Sequence, residues 1–322
     1  MAELNQLSED FNQYLSNKIK VKDPVNLYEP IKYILDLGGK RVRPLLVLLA
    51  TDLFGNNYKN AFPAALAVEV FHNFTLIHDD IMDSAALRRG KPTVHHKWNK
   101  NIAILSGDAM MIIAYSFIEE YPDEVYKKIM KVFNKTAIEV CEGQQYDMDF
   151  EQLHDVTLSQ YLNMIKLKTA VLLGSAFEIG AIIAGATVED RTAIYNFGLN
   201  LGLAFQIQDD YLDTFGDENS FGKKIGGDII EGKKTFLYLT ALQNSNFEDQ
   251  LILKNLYKEK DSVTKIKNIT QFFIHKNIPD LTQNTIKIYT NKAFDYVDKL
   301  SISSDKKEIL INLGNNLMNR SV

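Results

Sequence analysis

The sequence is poor in the residues that cross-link chains, ligate soft metals or interrupt helices. Its one cysteine, Cys141, excludes an intramolecular disulfide and any cysteine-cluster metal site, and fits a reducing compartment. Prolines number 7, and none lies between Pro122 and Pro279, so only glycines and polar turns punctuate that span. No Pro/Gly/Ser-rich linker, low-complexity tract or long run of one charge marks a boundary, so a single domain over residues 1–322 is expected. Excess positive charge is absent too: the formal net charge is −5, which argues against a nucleic-acid partner. The opening MAELNQLSEDFNQYL lacks the basic-then-apolar order of a signal peptide, and no run approaches the roughly 18 to 20 apolar residues of a membrane span. These absences predict a cytoplasmic protein with no membrane span.

What is present is helical period. With 46% hydrophobic and 24% charged residues, the composition is that of a globular chain with an ample core. Apolar residues recur at intervals of three and four: Leu162, Ile165 and Leu172; Ile194, Phe197, Leu201 and Phe205; Ile286, Tyr289, Ala293 and Tyr296. Alternating, strand-like runs are scarce. The expectation is an all-α protein of about ten helices, in which the nearly all-apolar segments 63–78 and 197–208 are central.

Two short segments echo each other, HDDIMD (78–83) and QDDYLD (208–213). Positions four apart share a helix face, so Asp79 and Asp83 project together, as do Asp209 and Asp213. Like charges at that spacing destabilise an isolated helix by a few tenths of a kcal/mol, and acids at a helix C-terminus oppose its dipole, so the pattern calls for a cation. A solvated helix end is the plain alternative for either motif alone; two copies, each after an apolar helical run, favour a bound metal. Hard oxygen donors with no cysteine or paired histidine beside them favour Mg²⁺, held by one or two carboxylates and substrate phosphates. The predicted site is one for a metal–diphosphate.

Fixed positive charge stands close to both motifs. Arg88 and Arg89 follow the first, Lys223 and Lys233 the second, and GGKRVRP (38–44) adds Lys40, Arg41 and Arg43, which cannot all face one way. Each cluster singly reads as a solvated surface; together they bracket the acidic motifs.

Taken in order, GGKRVRP, HDDIMDSAALRRGKPTVH (78–95), SGDAM (106–110), EGQQYD (142–147), LKTA (167–170), FQIQDDYLD (205–213) and GKKIGGDIIEGKKT (222–235) resemble the trans-isoprenyl diphosphate synthases, the polyprenyl synthetase family. The likeness is to its geranylgeranyl and farnesyl diphosphate synthases, and runs from about residue 38 to 240; no motif marks the chain beyond. It implies an isoprenoid-synthase helical bundle around a central cavity, usually a homodimer. Such an enzyme joins isopentenyl diphosphate head-to-tail to dimethylallyl, geranyl or farnesyl diphosphate and releases diphosphate. It also implies Mg²⁺, three ions with bound diphosphate, with Mn²⁺ able to substitute.

By position, Asp79 and Asp83 resemble the first-motif metal ligands and Asp209 the ligand of a further ion. Asp80, Asp210 and Asp213 resemble supporting acids, the first two being part of the catalytic set. Arg88 resembles the allylic-diphosphate contact, with Lys168, Lys223 and Lys233 as its lysine partners; Lys40, Arg43, His72 and Arg89 resemble the isopentenyl-diphosphate pocket. Thr169 and Gln206 resemble the dipoles that face the allylic cation. Ionising a C–O bond to diphosphate builds charge on the leaving group, which metal and Lys/Arg groups stabilise, while the cation needs a dry pocket. His72 stands two turns before Asp79, about 20° off its face, so it can point at the same site, with a core or interface histidine as the plain alternative for AVEVFHNF. Gln144, Gln145 and Asp147 match the family's EGQ-type helix, to reach metal waters or Lys168, or else to hydrogen-bond in the core. His78, His95 and His96 stay unassigned.

Product length in this family resembles a ruler set by bulk upstream of the first aspartates. Phe74, followed by the small Thr75, resembles the aromatic floor of a geranylgeranyl synthase; farnesyl and longer polyprenyl products are the alternatives. Phe71 and Phe74 as core aromatics, or Met110, Met111 and Phe117 as the floor, also fit. A terpene cyclase would not need GGKRVRP or Arg89, and a non-catalytic partner subunit of a heterodimeric synthase would not need both acidic motifs intact. An all-α Mg²⁺-dependent phosphohydrolase would want a wet site, against the apolar approach to both motifs.

Overall fold

The computed structural model describes residues 2–153, 155–217 and 225–318. Backbone contacts divide the chain into two compact units, Met1–Asn134 with Ser175–Arg191, and Lys135–Gly174 with Thr192–Val322.

In chain order the helices are α1 (Ala2–Lys18), α2 (Val25–Asp36), α3 (Val42–Leu53), α4 (Phe62–Met82), the short α5 (Val94–Lys97), α6 (Lys100–Ile118), α7 (Asp123–Gln152) and α8 (Leu158–Ile165). After a π-helical segment (Lys166–Ala170) come α9 (Val171–Ile183), α10 (Val188–Phe215), α11 (Gly227–Glu231), α12 (Phe236–Gln243), α13 (Phe247–Leu256), α14 (Ser262–His275), α15 (Ile278–Asp298) and α16 (Ser304–Met318). The one sheet among the described residues is a hairpin of β1 (Leu87–Arg88) and β2 (Lys91–Pro92). The fold is all-α, as expected, but its second half is cut into more and shorter helices than the apolar period shows. Polar caps make the cuts: Thr157 and Gln160 form a reciprocal capping box on α8, and Thr235, Asn246 and Asp261 cap α12, α13 and α14.

In the first unit α4 is the central helix, every residue from Ala64 to Phe71 being buried against α3 and α6. Full burial of each Leu, Val or Phe there contributes about 1.5–3 kcal/mol. α9 crosses α3 closely enough that Thr51 Oγ1 donates to the Gly180 carbonyl at 3.1 Å, and a Cβ on Gly180 would sit 2.8 Å from the Ala50 Cβ. One polar cluster interrupts this core: Arg41 turns inward to Glu69 and to the Leu35 carbonyl, and Asn73 Nδ2 donates to Glu69 Oε1 at 2.8 Å. Paired and hydrogen-bonded, these charges escape the several-kcal/mol cost of a lone buried ion. Arg41 is therefore the member of the basic loop whose charge is paired within the core.

Among the helices described, α6 alone is long and apolar enough to cross a membrane by length and composition, but it carries Lys100 and Asp108, and 33% of the stretch is buried within the protein. It is apolar on more than the side that packs along α4, which leaves Leu105 60% and Ile112 70% exposed.

In the second unit α10 is the spine, with Phe197, Leu201, Ala204 and Ile207 wholly buried, and α12 is buried from Phe236 to Ala241. Ile269 and Phe273 of α14 and Ile278 and Ile286 of α15 complete that core. The period read through Leu162, Ile165 and Leu172 runs across the π segment, whose wider turn resets the helical phase between the second and third of these residues.

Candidate active site

The first acidic motif closes α4. Adjacent helical residues point about 100° apart, so Asp80 enters the protein while Asp79 is half-buried and Asp83 exposed. Asp80, 1% exposed, is gripped by Arg88: Nε lies 3.0 and 2.9 Å from its two oxygens and Nη2 2.7 Å from Oδ1. A fork-on-carboxylate contact fixes the plane of the guanidinium as well as its position.

Arg88 and Arg89 are presented by the two-residue hairpin, in which Leu87 pairs with Pro92 and Arg88 with Lys91. Its central residues, Arg89 and Gly90, both have positive φ, 52° and 73°, as a primed turn requires. Glycine takes that conformation freely; arginine does so at a cost. The hairpin is pinned by the Tyr33 hydroxyl donating to the Pro92 carbonyl (2.8 Å) and Thr93 Oγ1 donating to Ala85 (2.8 Å). The Arg89 guanidinium donates to the Gly38 carbonyl and lies so flat on the loop that a Cβ at Gly39 would be 2.6 Å from Nη2. Gly39 itself has φ +117°. That φ favours glycine, and any side chain there would have to displace the guanidinium.

Beside it, Arg43 Nη1 lies 3.1 Å from His72 Nε2. A guanidinium can only donate, so Nε2 accepts and the neutral ring carries its proton on Nδ1. Burial, with Arg43, Arg89, Arg88 and Arg41 around it, holds the imidazole well below its ordinary value. The same burial draws the Arg43 guanidinium down to about 10 despite the charge of Glu69. Arg43 and Arg89 thus set a positive field about the neutral His72; Lys40 lies exposed on the adjoining loop. Upstream on α4, Phe71 is 1% exposed between the rings of Phe74 (5.6 Å) and Phe133 (5.3 Å), and Thr75 Oγ1 bonds back to the His72 carbonyl. Met110 is wholly buried, whereas Met111 and Phe117 are partly so.

The second unit holds a polar cavity of about 500 Å³, bounded by the end of α7, by α8, the π segment and α10, and by the loop from α11 to α12. Lys168 and Thr169 lie in the π segment, where the Val171 amide bonds to the Lys166 carbonyl. Lys168 Nζ pairs with Asp147 of α7 at 2.6 Å. That approach depends on Gly143, one turn earlier: a Cβ there would fall 2.6 Å from the Lys168 Cα. Gln145 instead bonds Asp149 at 2.8 Å, away from the pair, and Gln144 is partly buried. Thr169 Oγ1 donates to Gln206 Oε1 at 3.3 Å, and Gln206 Nε2 reaches Asp210 at 3.5 Å.

The acids of the second motif divide as those of the first do. Asp209 lines the cavity, while Asp210, 5% exposed, accepts from the Tyr161 hydroxyl and from the Phe236 amide at 2.9 Å. Burial pushes the Asp210 carboxyl up to about 7, although both hydrogen bonds favour its charged form. Asp213 accepts from the Asp228 amide at 3.0 Å and so anchors α11. Lys233 lies 2.8 Å from Glu231 and 3.5 Å from Asp228; burial draws its ammonium down, but these acids and Asp147 hold it above its ordinary value. Lys234 turns the other way and donates to the Phe150 carbonyl at 2.6 Å, a cation on the last turn of α7. Lys223 lies outside the described residues.

Tyr161, Gly143, Asp228 and Lys234 are the site residues that motif reading missed. Tyr161 stands two turns before Lys168, the one signal that could have drawn attention to it. Among the described residues no three ligand-type side chains converge. The carboxylates of Asp79 and Asp83 in the first unit, and of Asp209 in the second, are nevertheless each the kind of hard oxygen donor that suits a cation completing its shell with water and the oxygens of a bound anion.

A family model for polyprenyl synthetases matches residues 24–273. The chain is 42% identical to a geranylgeranyl diphosphate synthase of Methanosarcina mazei over 75% of each chain. It is 40% identical to a geranylfarnesyl diphosphate synthase of Natronomonas pharaonis, over 71% of this chain and 73% of that one. A crystal structure of a geranylgeranyl pyrophosphate synthase, 48% identical, superposes with a TM-score of 0.95 over 99% of both chains. With both acidic motifs, their basic partners and the helical architecture in the family's order, the chain belongs to the polyprenyl synthetase family and is a trans-prenyltransferase.

Proposed function

We propose that the chain condenses isopentenyl diphosphate with an allylic diphosphate to give geranylgeranyl diphosphate. The observation that carries this is the cavity in which Lys168, Lys233 and Asp209 stand beside the Thr169–Gln206 pair: charge for a diphosphate next to dipoles for a carbocation. Lys168 and Lys233 bind the allylic diphosphate with Arg88, which Asp80 holds in plane; Lys223 is assigned the same role by its place in the motif. Lys40, Arg43, His72 and Arg89 receive isopentenyl diphosphate. Asp79, Asp83 and Asp209 hold Mg²⁺, with Mn²⁺ a substitute, and the bound ions supply charge to stabilise the departing diphosphate. Thr169 and Gln206 direct oxygen dipoles at the allylic carbon, and Asp210 keeps Gln206 in place.

Phe74, with Phe71 behind it and Thr75 beside it, is assigned the end of the product tail pocket. The name of the Natronomonas pharaonis relative favours a second reading, a twenty-five-carbon product. The chain works as one catalytic domain, since one family match runs through both compact units, and as a cytoplasmic homodimer whose exposed apolar face on α6 is the contact. Purified protein incubated with Mg²⁺, isopentenyl diphosphate and each of the dimethylallyl, geranyl and farnesyl diphosphates should yield a twenty-carbon product on chromatography. Absence of any elongated product from every primer overturns the synthase reading.

A further inference from the structure

We propose that His78 determines product length by wedging its ring between Phe74 and a notch in α6 made by Gly107. The inference rests on the assignment of Phe74 to the end of the tail pocket and adds what holds that ring still.

Phe74 and His78 are one turn apart on α4, and their rings meet edge to face, 4.8 Å between centroids at 68°. On its other side Phe74 leans on Phe71, itself backed by Phe133. Its ring is therefore bracketed within its own helix, by a wholly buried aromatic below and by His78 above. Phe71 is fixed by the core, so the position of Phe74 depends on what fixes His78.

α6 does. A Cβ on Gly107 would lie 2.8 Å from His78 Cδ2 and nearer still to Nε2, so the imidazole occupies space that any other residue at 107 would fill. His78 Nε2 donates to the Ile104 carbonyl at 3.3 Å, and Asp108 Oδ1 stands 3.7 Å from the same nitrogen. The missing side chain at 107, a carbonyl and a carboxylate thus hold one ring, which in turn blocks one direction of travel for Phe74. An aromatic on a two-torsion side chain otherwise turns into whatever space is vacant.

The consequence has a sign. Removing the His78 ring lets Phe74 swing toward α6 and deepens the pocket; adding a methyl at 107 drives the imidazole onto Phe74 and makes it shallower. His78→Ala is expected to raise the ratio of products longer than the principal wild-type product about three- to tenfold, the range that one aromatic pair commands. Gly107→Ala is expected to shift the distribution shorter, and to have no further effect in the His78→Ala background, where nothing remains to be pushed.

The experiment is a product-length analysis at matched conversion for the wild type, Phe74→Ala, His78→Ala, Gly107→Ala and the His78→Ala/Gly107→Ala double variant. Relative product lengths are read, so the slower turnover expected of a change beside Asp79 does not enter. If Phe74→Ala lengthens products while His78→Ala leaves the distribution as in the wild type, the Phe74 assignment stands and the wedge is overturned. If Phe74→Ala changes nothing, the assignment and the wedge fall together. An equal effect of Gly107→Ala with and without the His78 ring also overturns the wedge. Should Gly107→Ala fail to fold, Phe74→Ala and His78→Ala alone decide between these outcomes.

Discussion

His72 concentrates the residue-scale physics of the first unit. The folded protein holds its pKa well below the ordinary value, because desolvation and then the charges of Arg43, Arg89, Arg88 and Arg41 disfavour the protonated ring. Unfolded, it titrates near 6.5. Below that pH the unfolded chain binds a proton that the folded chain refuses, so this group's share of stability is lost as pH falls, at up to about 1.4 kcal/mol per pH unit. In urea unfolding followed between about pH 5 and 6.5, His72→Asn should flatten the slope of stability against pH; an unaltered slope means that other groups take up the protons. Helical period was enough to separate Asp79 and Asp83 from Asp80 on the wheel. It could not supply the partner of Asp80, because Arg88 is set by a hairpin whose strands have two residues each, too short for an alternating pattern to register.

The element scale is governed by where backbones touch. α7 meets the π segment at Gly143, and the Lys168–Asp147 pair is the product of that contact. Gly143→Ala should force the two apart, destabilising the fold by about 1–3 kcal/mol and lowering kcat/KM for the allylic substrate by more than that loss explains. Gly180→Ala, at the equally tight crossing of α9 on α3, is the comparison: a similar fall in Tm with far less effect on kcat/KM at temperatures where both variants are folded. Equal kinetic damage from both would deny Gly143 its special place. The motif EGQQYD marks this helix in the sequence, but the wider turn facing it cannot be read from apolar spacing, since a π turn keeps the same residues and only changes their phase.

At the scale of the whole molecule, the all-α class and the family follow from helical period and motif order, whereas assembly depends on what is left uncovered. Leu105 and Ile112 lie two turns apart on α6, on one face, and both are largely exposed. Read in sequence, the apolar character of α6 suggests only burial; the structure divides it into a side that packs along α4 and a side with no cover in the single chain. If that face joins two copies, Ile112→Lys should turn a dimer into a monomer by light scattering coupled to size exclusion, with the helical circular dichroism intact; a variant that remains dimeric places the contact elsewhere. The hairpin at Arg89-Gly90 carries a last consequence, for anyone redesigning this chain. A procedure that picks residues by backbone preference would write Asn-Gly there, and the resulting protein would be more stable while having lost the guanidinium that lies on the Gly38-Gly39 loop. Position 89 is thus where improvement of the scaffold and retention of its chemistry pull in opposite directions.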